Sequence, residues 1–282
     1  MPDLNDPKTP LGVSRFQSIV APDGTRSSAA AAWLGPKIVQ SRKNLDILTG
    51  TTVTRLISDD DDEGDGKVKV LGVEVAQSRD GPRYVARAKH EVIVSQGAYG
   101  TPQLLLLSGI GPREQLESLG IKTRLDLAGV GARARDHPMA SHVFKVKPGT
   151  SLQYLAHPLK VLPSLIRWLI WGDGPLRTNL AEAGAFVRAH EQPTAGQVAT
   201  LSAQACTASG DGAPDLELIT APLYYLLPTG EAPKEPQDDY ISIAPVVLRP
   251  TSEGSITLKS ADPFDKAVID PAFLKTEHDK KV

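Results

Sequence analysis

The chain has almost no cysteine: Cys206 is the single one among 282 residues. A lone cysteine excludes an internal disulfide and any cysteine-rich metal site. The sequence also has no Asn-x-Ser/Thr acceptor for N-glycosylation, so no motif of this kind points to secretion. These absences leave the cellular compartment of the protein open.

Long apolar runs are absent as well. The longest apolar cluster, 161–171, is interrupted by Pro163, Ser164 and Arg167, whereas a membrane-spanning helix needs about 20 consecutive apolar residues. The first residues form neither the apolar core of a signal peptide nor an Arg-rich amphipathic helix. We therefore predict no membrane span.

Neither sign of charge is in clear excess. The sequence contains 31 Lys and Arg against 33 Asp and Glu, a formal net charge of −2. Such a chain has no basic face to overcome the repulsion of phosphates, so we predict no nucleic-acid partner. Apolar residues at 40% and charged residues at 23% are typical of a globular protein, and the length allows two domains.

The acidic run 59–66 resembles a calcium loop only in its composition. A loop that starts at Asp59 has Val70 at the twelfth position, and one that starts at Asp61 has Gly72 there. That position needs a bidentate Glu in a calcium-binding EF-hand. We therefore predict no metal site, and expect the like charges to form a solvated hairpin tip.

The most informative stretch is 97–111, read as GAYGTPQLLLLSGIG. The β-branched run 91–95 precedes it and is typical of a buried strand. Gly97 follows directly, which indicates a tight turn.

A short buried helix is predicted within this stretch. Thr101 is the expected N-cap and Pro102 the first helical residue, where a missing N–H does no harm. The four leucines of 104–107 make one turn apolar on all sides, and Ser108 and Gly109 end the helix.

Apolar periodicity predicts further helices and strands. Residues 1–25 are expected to be mostly loop. Helices are predicted over 27–39, 112–120 and the stripe of Leu162, Leu165, Ile166 and Leu169, which either packs in the core or lines the entrance to a substrate cavity. Strands are predicted over 45–48, 52–57, a hairpin of 68–75 with 84–85, and the segments 142–147, 215–219, 240–248 and 255–259. The last four alternate between apolar and polar residues, which favours one antiparallel sheet.

The stretch 97–111 resembles the second signature of the glucose–methanol–choline (GMC) oxidoreductases, a family of FAD-dependent alcohol oxidases and dehydrogenases. It carries the pattern Gly-x-x-x-Thr-Pro-x-Leu-Leu-x-x-Ser-Gly-Ile-Gly. Two more segments are similar to family patterns: Gly-x-Arg-x-Ser-Ala at 24–29 and Gly-Val-Gly-x-x-x-x-Asp-His at 129–137. The resemblance covers nearly the whole chain, with clear gaps only over 187–213.

The resemblance implies a fold of the α/β plus α+β class. Part of an FAD/NAD(P)-binding-like domain is expected over 1–138, followed by a substrate domain with an antiparallel sheet over 139–248. The start of the family's C-terminal region is expected over 249–282.

It also implies FAD as cofactor and a small-molecule alcohol as substrate of the full-length enzyme. In the family, main chain at the valine corresponding to Val53 hydrogen-bonds the FAD adenine, and the resemblance places the turn at Gly97 near the adenosine. Val53 is also expected as a buried strand residue, and both roles are compatible because the contact uses main chain.

Glu182 and Phe186 are the residues that the resemblance places on a wall of the substrate cavity. In members that handle cationic alcohols the glutamate matching Glu182 faces the substrate, although a structural hydrogen bond explains this residue equally well. We predict a structural role for His137, because Asp136 beside it in sequence points in a different direction.

Two motifs that flavin-dependent alcohol oxidation requires are absent. No Gly-x-Gly-x-x-Gly occurs, and neither does the His-Pro-x-Gly context that holds the family's catalytic histidine, so no catalytic residue is assigned. The sequence thus predicts an internal fragment of an FAD-dependent oxidoreductase acting on CH–OH groups of alcohols, inactive alone. The alternative is a non-catalytic remnant that acts at most as a binding or interaction protein.

Overall fold

A computed structural model describes residues 10–59, 67–188, 212–225 and 238–280, together with 6, 8 and 210. The chain forms two compact units. Unit 1 consists of 1–45, 137–250 and 276–282, and unit 2 consists of 46–136 and 251–275. The acidic run over 60–66, with its predicted hairpin tip, lies outside the described residues.

Helices and strands are numbered in chain order. Unit 1 contains β1 (Gly12–Arg15), α1 (Ala29–Leu34), α2 (Pro36–Ser41), β7 (His142–Lys145), a 3₁₀ turn (Gln153–Ala156), α5 (Leu162–Trp171), β8 (Ala183–Val187), β9 (Leu216–Ala221) and β10 (Tyr240–Val247). Unit 2 contains β2 (Thr52–Ser58), β3 (Val70–Ala76), β4 (Tyr84–Arg87), α3 (Gly97–Leu107), β5 (Ile110–Gly111), α4 (Arg113–Ser118), β6 (Leu125–Asp126), β11 (Ser255–Thr257) and β12 (Val268–Asp270).

Unit 1 is built on a five-stranded antiparallel sheet in the order β1-β8-β9-β10-β7. The strands predicted from the alternating segments 142–147, 215–219 and 240–248 are confirmed. β1 forms within the first 25 residues, which were expected to be mostly loop. The prediction that 255–259 joins this sheet is wrong, because β11 pairs with β12 in unit 2. Pairing with a strand so near in sequence closes only a short loop, so it costs less chain entropy than pairing with a distant strand.

Two other predictions made for the first 50 residues are wrong. The helix expected over 27–39 is split at Gly35, which is extended with ψ 148°, because the residue before Pro36 is disfavoured in helical geometry. The strand expected at 45–48 does not form. The helix around the apolar stripe is confirmed as α5, but of the two roles left open for the stripe, core packing does not hold, because Leu162, Ile166 and Leu169 are exposed, Leu169 to 67%.

Unit 2 is built on the three-stranded antiparallel sheet β2-β3-β4, which confirms the predicted hairpin. Helix α3 packs on this sheet through a core of Leu56, Leu104 and Ile110. A second core contains Leu106, Leu116 and Leu258. The leucine-rich turn of α3 thus supplies side chains to both cores, as its all-round apolar character requires.

The two glycine turns around α3 are confirmed, since Gly97 has φ +76° and Gly109 φ +79°. The helix begins at Gly97, however, and not at Pro102, which lies inside it. The strand predicted over 91–95 is wrong as well: this segment pairs with no strand in the described ranges, and Ile93 is 77% exposed. Residues of high β propensity form a strand only where the edge of a neighbouring strand pairs with their main-chain groups.

No helix among the described residues is long and apolar enough to cross a membrane.

The hydroxyl of Ser108 connects α3 to the sheet of unit 2. Its Oγ accepts a hydrogen bond from the Leu56 N–H at 2.8 Å and donates to the Leu104 carbonyl at 2.6 Å. Ser108 is 5% exposed, so water cannot replace this partner.

We expect Ser108→Ala to lower the free energy of unfolding by about 1–3 kcal/mol, because it leaves the buried Leu56 N–H unpaired. Ser118→Ala is the matched control, since Ser118 is exposed and donates only to the Gln115 carbonyl; its effect should stay within about 0.5 kcal/mol. Urea unfolding followed by circular dichroism measures both, and equal effects would contradict the prediction.

Candidate functional site

A cavity of about 450 Å³ opens in unit 2 beside the first half of α3. One wall consists of α3 residues, among them Ala98, Tyr99 and Thr101, and a second consists of residues in the loop 129–136. Side chains from β11 and β12 complete it. The two segments of unit 2 with the sequence patterns described above therefore meet at one cavity.

Gly131 fixes the loop 129–136 against β11. Its carbonyl accepts a hydrogen bond from the Ile256 N–H at 2.7 Å, and Ala134 and Gly254 exchange a pair of main-chain hydrogen bonds at 3.0 and 2.7 Å. Gly131 has φ +74°, and a Cβ there would lie 2.1 Å from the Ile256 carbonyl oxygen. Both the backbone angle and the close approach therefore require glycine.

The cavity has features that suit a nucleotide. Gln96 gives α3 no side-chain cap, so the N–H groups of the first turn are available to an anion. A Cβ built on Gly97 or on Gly129 would meet nothing within 4 Å, which leaves room for a ligand to approach the main chain closely. The rest of the lining is mostly apolar, with Arg135 and Asp136 at one side.

The two cofactor residues predicted from sequence lie in different surroundings. Gly97 directly precedes the cavity residue Ala98, whereas Val53 packs against the core of Leu56, Leu104 and Ile110 and does not line the cavity. β2 is an edge strand, so one side of its main chain is free of β3. The main-chain contact between Val53 and adenine stays a prediction.

Of the two predicted substrate residues, Glu182 directly precedes β8 in unit 1 and Phe186 lies near the end of that strand. Glu182 is exposed, and its main-chain carbonyl accepts a hydrogen bond from the Phe16 N–H at 2.9 Å. Phe186 lies opposite Glu217 of β9 and contacts Phe16 edge to face, with ring centroids 6.4 Å apart. A substrate contact at Glu182 or Phe186 stays a prediction.

Glu217 is a titratable residue that the sequence analysis did not single out. Burial raises the pKa of its carboxyl group, while the charge of His137 opposes the shift. Its signal in the sequence is an acidic residue between apolar ones in an alternating strand. An acid in that position is half-buried when the sheet face is covered.

Gly131→Ala tests how the cavity loop is held. We expect it to lower the free energy of unfolding by about 3 kcal/mol or more, because the main chain of β11 must move as well. Gly120→Ala is the control, since Gly120 has φ +72° but open space around it. Backbone strain alone should lower its free energy of unfolding by about 1 kcal/mol. Urea unfolding by circular dichroism compares them, and a Gly131 variant no worse than the control would refute the steric argument.

Glu217 gives a prediction for the pH dependence of stability. Its folded pKa is raised above the ordinary value of 4.5, so the stability it contributes is complete below that value and is lost as pH rises through the folded pKa. We expect Glu217→Gln to be more stable than the wild type at neutral pH, with the difference vanishing below about pH 4.5. Urea midpoints from pH 4 to 8 measure this; a difference independent of pH would argue against it.

Comparisons with known proteins agree with the arrangement in unit 2. Residues 2–139 match the family model described as GMC oxidoreductase. Dehydrogenase str4 of Strobilurus tenacellus is 34% identical over 288 residues, which cover 98% of this chain and 45% of the relative. The chain belongs to the GMC oxidoreductase family.

Two further GMC comparisons cover a similar share of each protein. The oxygen-dependent choline dehydrogenase of Staphylococcus epidermidis is 33% identical over 92% of this chain and 40% of its own length. The structure of formate oxidase from Aspergillus oryzae matches with a TM-score of 0.74 and 28% identity, covering 92% of this chain and 44% of the other. The chain thus spans less than half the length of these relatives.

Three of the predictions made from sequence are confirmed, namely the family, FAD as its cofactor and the fold class. GMC enzymes are FAD-dependent oxidases and dehydrogenases that act on alcohols or similar small molecules, and FAD is their cofactor. The α/β plus α+β fold class is confirmed by the structural neighbours and by the mixed helices and antiparallel sheets. The domain boundaries at 138 and 248 stay a prediction.

Proposed function

We propose that this GMC chain supplies part of the FAD pocket and one wall of the substrate cavity of an enzyme that oxidises the CH–OH group of an alcohol. The observation that supports it most is the 450 Å³ cavity of unit 2. Its two main walls are the second-signature helix and the loop that begins Gly-Val-Gly, which the sequence resemblance identified independently.

Each predicted residue has a proposed role toward FAD or substrate. Main chain at Val53 holds the adenine, and the turn at Gly97 lets the nucleotide approach the N-terminus of α3, where free N–H groups favour an anion. Glu182 and Phe186 border the substrate on unit 1. When bound, FAD supplies the hydride acceptor.

The chain alone is proposed to be inactive and to bind FAD weakly or not at all. Oxidation of an alcohol needs a base that takes the hydroxyl proton, and the sequence contains no His-Pro-x-Gly context for one. A dinucleotide also needs a glycine turn at a helix N-terminus for its pyrophosphate, and no Gly-x-Gly-x-x-Gly occurs.

A second candidate function is a non-catalytic interaction protein. The observation in its favour is apolar surface: Leu169 and Trp171 of α5 are exposed, as is Ile93 before α3. Exposed apolar patches of this kind mark contact surfaces. This candidate requires association with another chain and no flavin chemistry.

Spectroscopy on the purified 282-residue chain tests the proposal. We expect no flavin absorbance band after purification, little quenching of added FAD fluorescence, and no alcohol-dependent reduction of an electron acceptor. A chain that co-purifies with flavin would overturn the predicted inactivity. Light scattering during gel filtration tests the second candidate function by measuring molar mass. An interaction protein should associate stably with itself or with a partner.

The DNA sequence on either side of the coding region distinguishes the two candidate functions without any purified protein. In-frame codons for Gly-x-Gly-x-x-Gly upstream and for His-Pro-x-Gly downstream would favour the enzyme. Stop codons or unrelated sequence there would favour the interaction protein.

A further inference from the structure

A second cavity, of about 290 Å³, lies on one face of the sheet of unit 1. Its floor consists of two cross-strand pairs, Ser242 with Ala221 and Ala244 with Ile219. Three of these four side chains are small, and cross-strand partners point to the same face of a sheet. The small residues of the floor therefore leave the space that the cavity occupies.

The walls of this sheet cavity are also mostly apolar. Leu180 and Ala181 form the wall before β8, and Leu223 and Tyr225 form the wall after β9. Among the residues that the structure describes, no lining residue is a lysine, arginine, aspartate or glutamate. A charged ligand would therefore lose its hydration without gaining a partner in the lining.

Two polar side chains of the lining, Ser242 and Asn179, differ in their hydrogen bonding. Ser242 is satisfied: its Oγ donates to the Leu223 carbonyl and accepts from the Tyr225 N–H, both at 2.8 Å. Asn179 is not: its Oδ1 is buried and has no hydrogen-bond partner among the described residues. Buried polar atoms are nearly always paired, so an unpaired acceptor in a cavity wall points to a donor from a ligand.

The main chain holds Asn179 at the cavity. Its carbonyl accepts from the Ala181 N–H at 2.9 Å, and the Leu180 N–H donates to Thr178 Oγ1 at 3.0 Å. Leu180 has φ +67°, a strained angle for a branched side chain. Strain of this kind persists where surrounding contacts fix a functional conformation.

We propose that the sheet cavity binds a small, neutral, largely apolar molecule whose single hydroxyl donates to Asn179 Oδ1. A dry cavity of about 150 Å³ holds benzene, so 290 Å³ accommodates an aromatic or short aliphatic alcohol. Identifying this ligand as the enzyme's substrate rests on the proposed function. The glutamate that suggested cationic alcohols, Glu182, is not in the lining.

Ligand-observed NMR titration of the purified chain with benzyl alcohol tests the proposal without flavin. Benzyl methyl ether keeps the ring and oxygen but cannot donate, and benzylammonium adds a charge. We expect benzyl alcohol to bind about five- to tenfold more tightly than the ether, the effect of one neutral hydrogen bond, and also more tightly than benzylammonium.

Variants test whether Asn179 is responsible for the tighter binding of the alcohol than of the ether. In Asn179→Leu we expect the alcohol and the ether to bind within about twofold of each other. Ala221→Leu fills the cavity and should abolish binding of both. Asn44→Leu is the matched control, because Asn44 is exposed on the same unit, and it should keep the wild-type preference. Circular dichroism confirms that each variant is folded.

Three results would overturn the inference: no probe binds, the ether binds as tightly as the alcohol, or benzylammonium binds best. If Asn179→Leu does not fold, loss of binding in Ala221→Leu and the wild-type preference for the alcohol still decide it. None of these measurements involves FAD. A chain that binds benzyl alcohol with this preference, but whose flanking DNA encodes neither Gly-x-Gly-x-x-Gly nor His-Pro-x-Gly, would keep this site and count only against the proposed function.

Discussion

The close approach of Gly131 to the Ile256 carbonyl is the constraint on which the cavity of unit 2 depends. It joins a loop to a strand more than 100 residues later in the chain, and only a residue without Cβ permits it. The loop is thereby held opposite α3, and the space between them is the cavity. A GMC segment that conserves the helix but loses this glycine would keep its secondary structure and lose the second wall.

The two cavities suit different ligands because their polar groups differ. The cavity in unit 2 has a helix N-terminus and glycines with open space, which favour a large anionic nucleotide. The cavity on the sheet of unit 1 is smaller, uncharged and lined mainly by aliphatic residues with one unpaired amide oxygen. In the proposed function, cofactor and substrate would therefore be held by different lining residues, each set within its own unit.

The sequence predicted the parts of the fold that depend on residues close together in the chain. The turns at Gly97 and Gly109, the hairpin β3–β4 and three strands of the unit 1 sheet follow from glycine conformation and from alternation. The errors arose where the outcome depends on a distant partner. The segment 91–95 has strand propensity but no neighbouring edge among the described residues, and the unpaired oxygen of Asn179 is visible only once three other segments surround it.

The division into two units also determines which optical probe reports on which part of the chain. All three tryptophans, Trp33, Trp168 and Trp171, belong to unit 1, whereas unit 2 contains tyrosine and phenylalanine but no tryptophan. Indole emission therefore reports directly on the unfolding of unit 1, whereas the unfolding of unit 2 has to be followed by a probe of the backbone. Non-coincident transitions by emission and by a backbone probe would then reveal two independently melting parts in one chain.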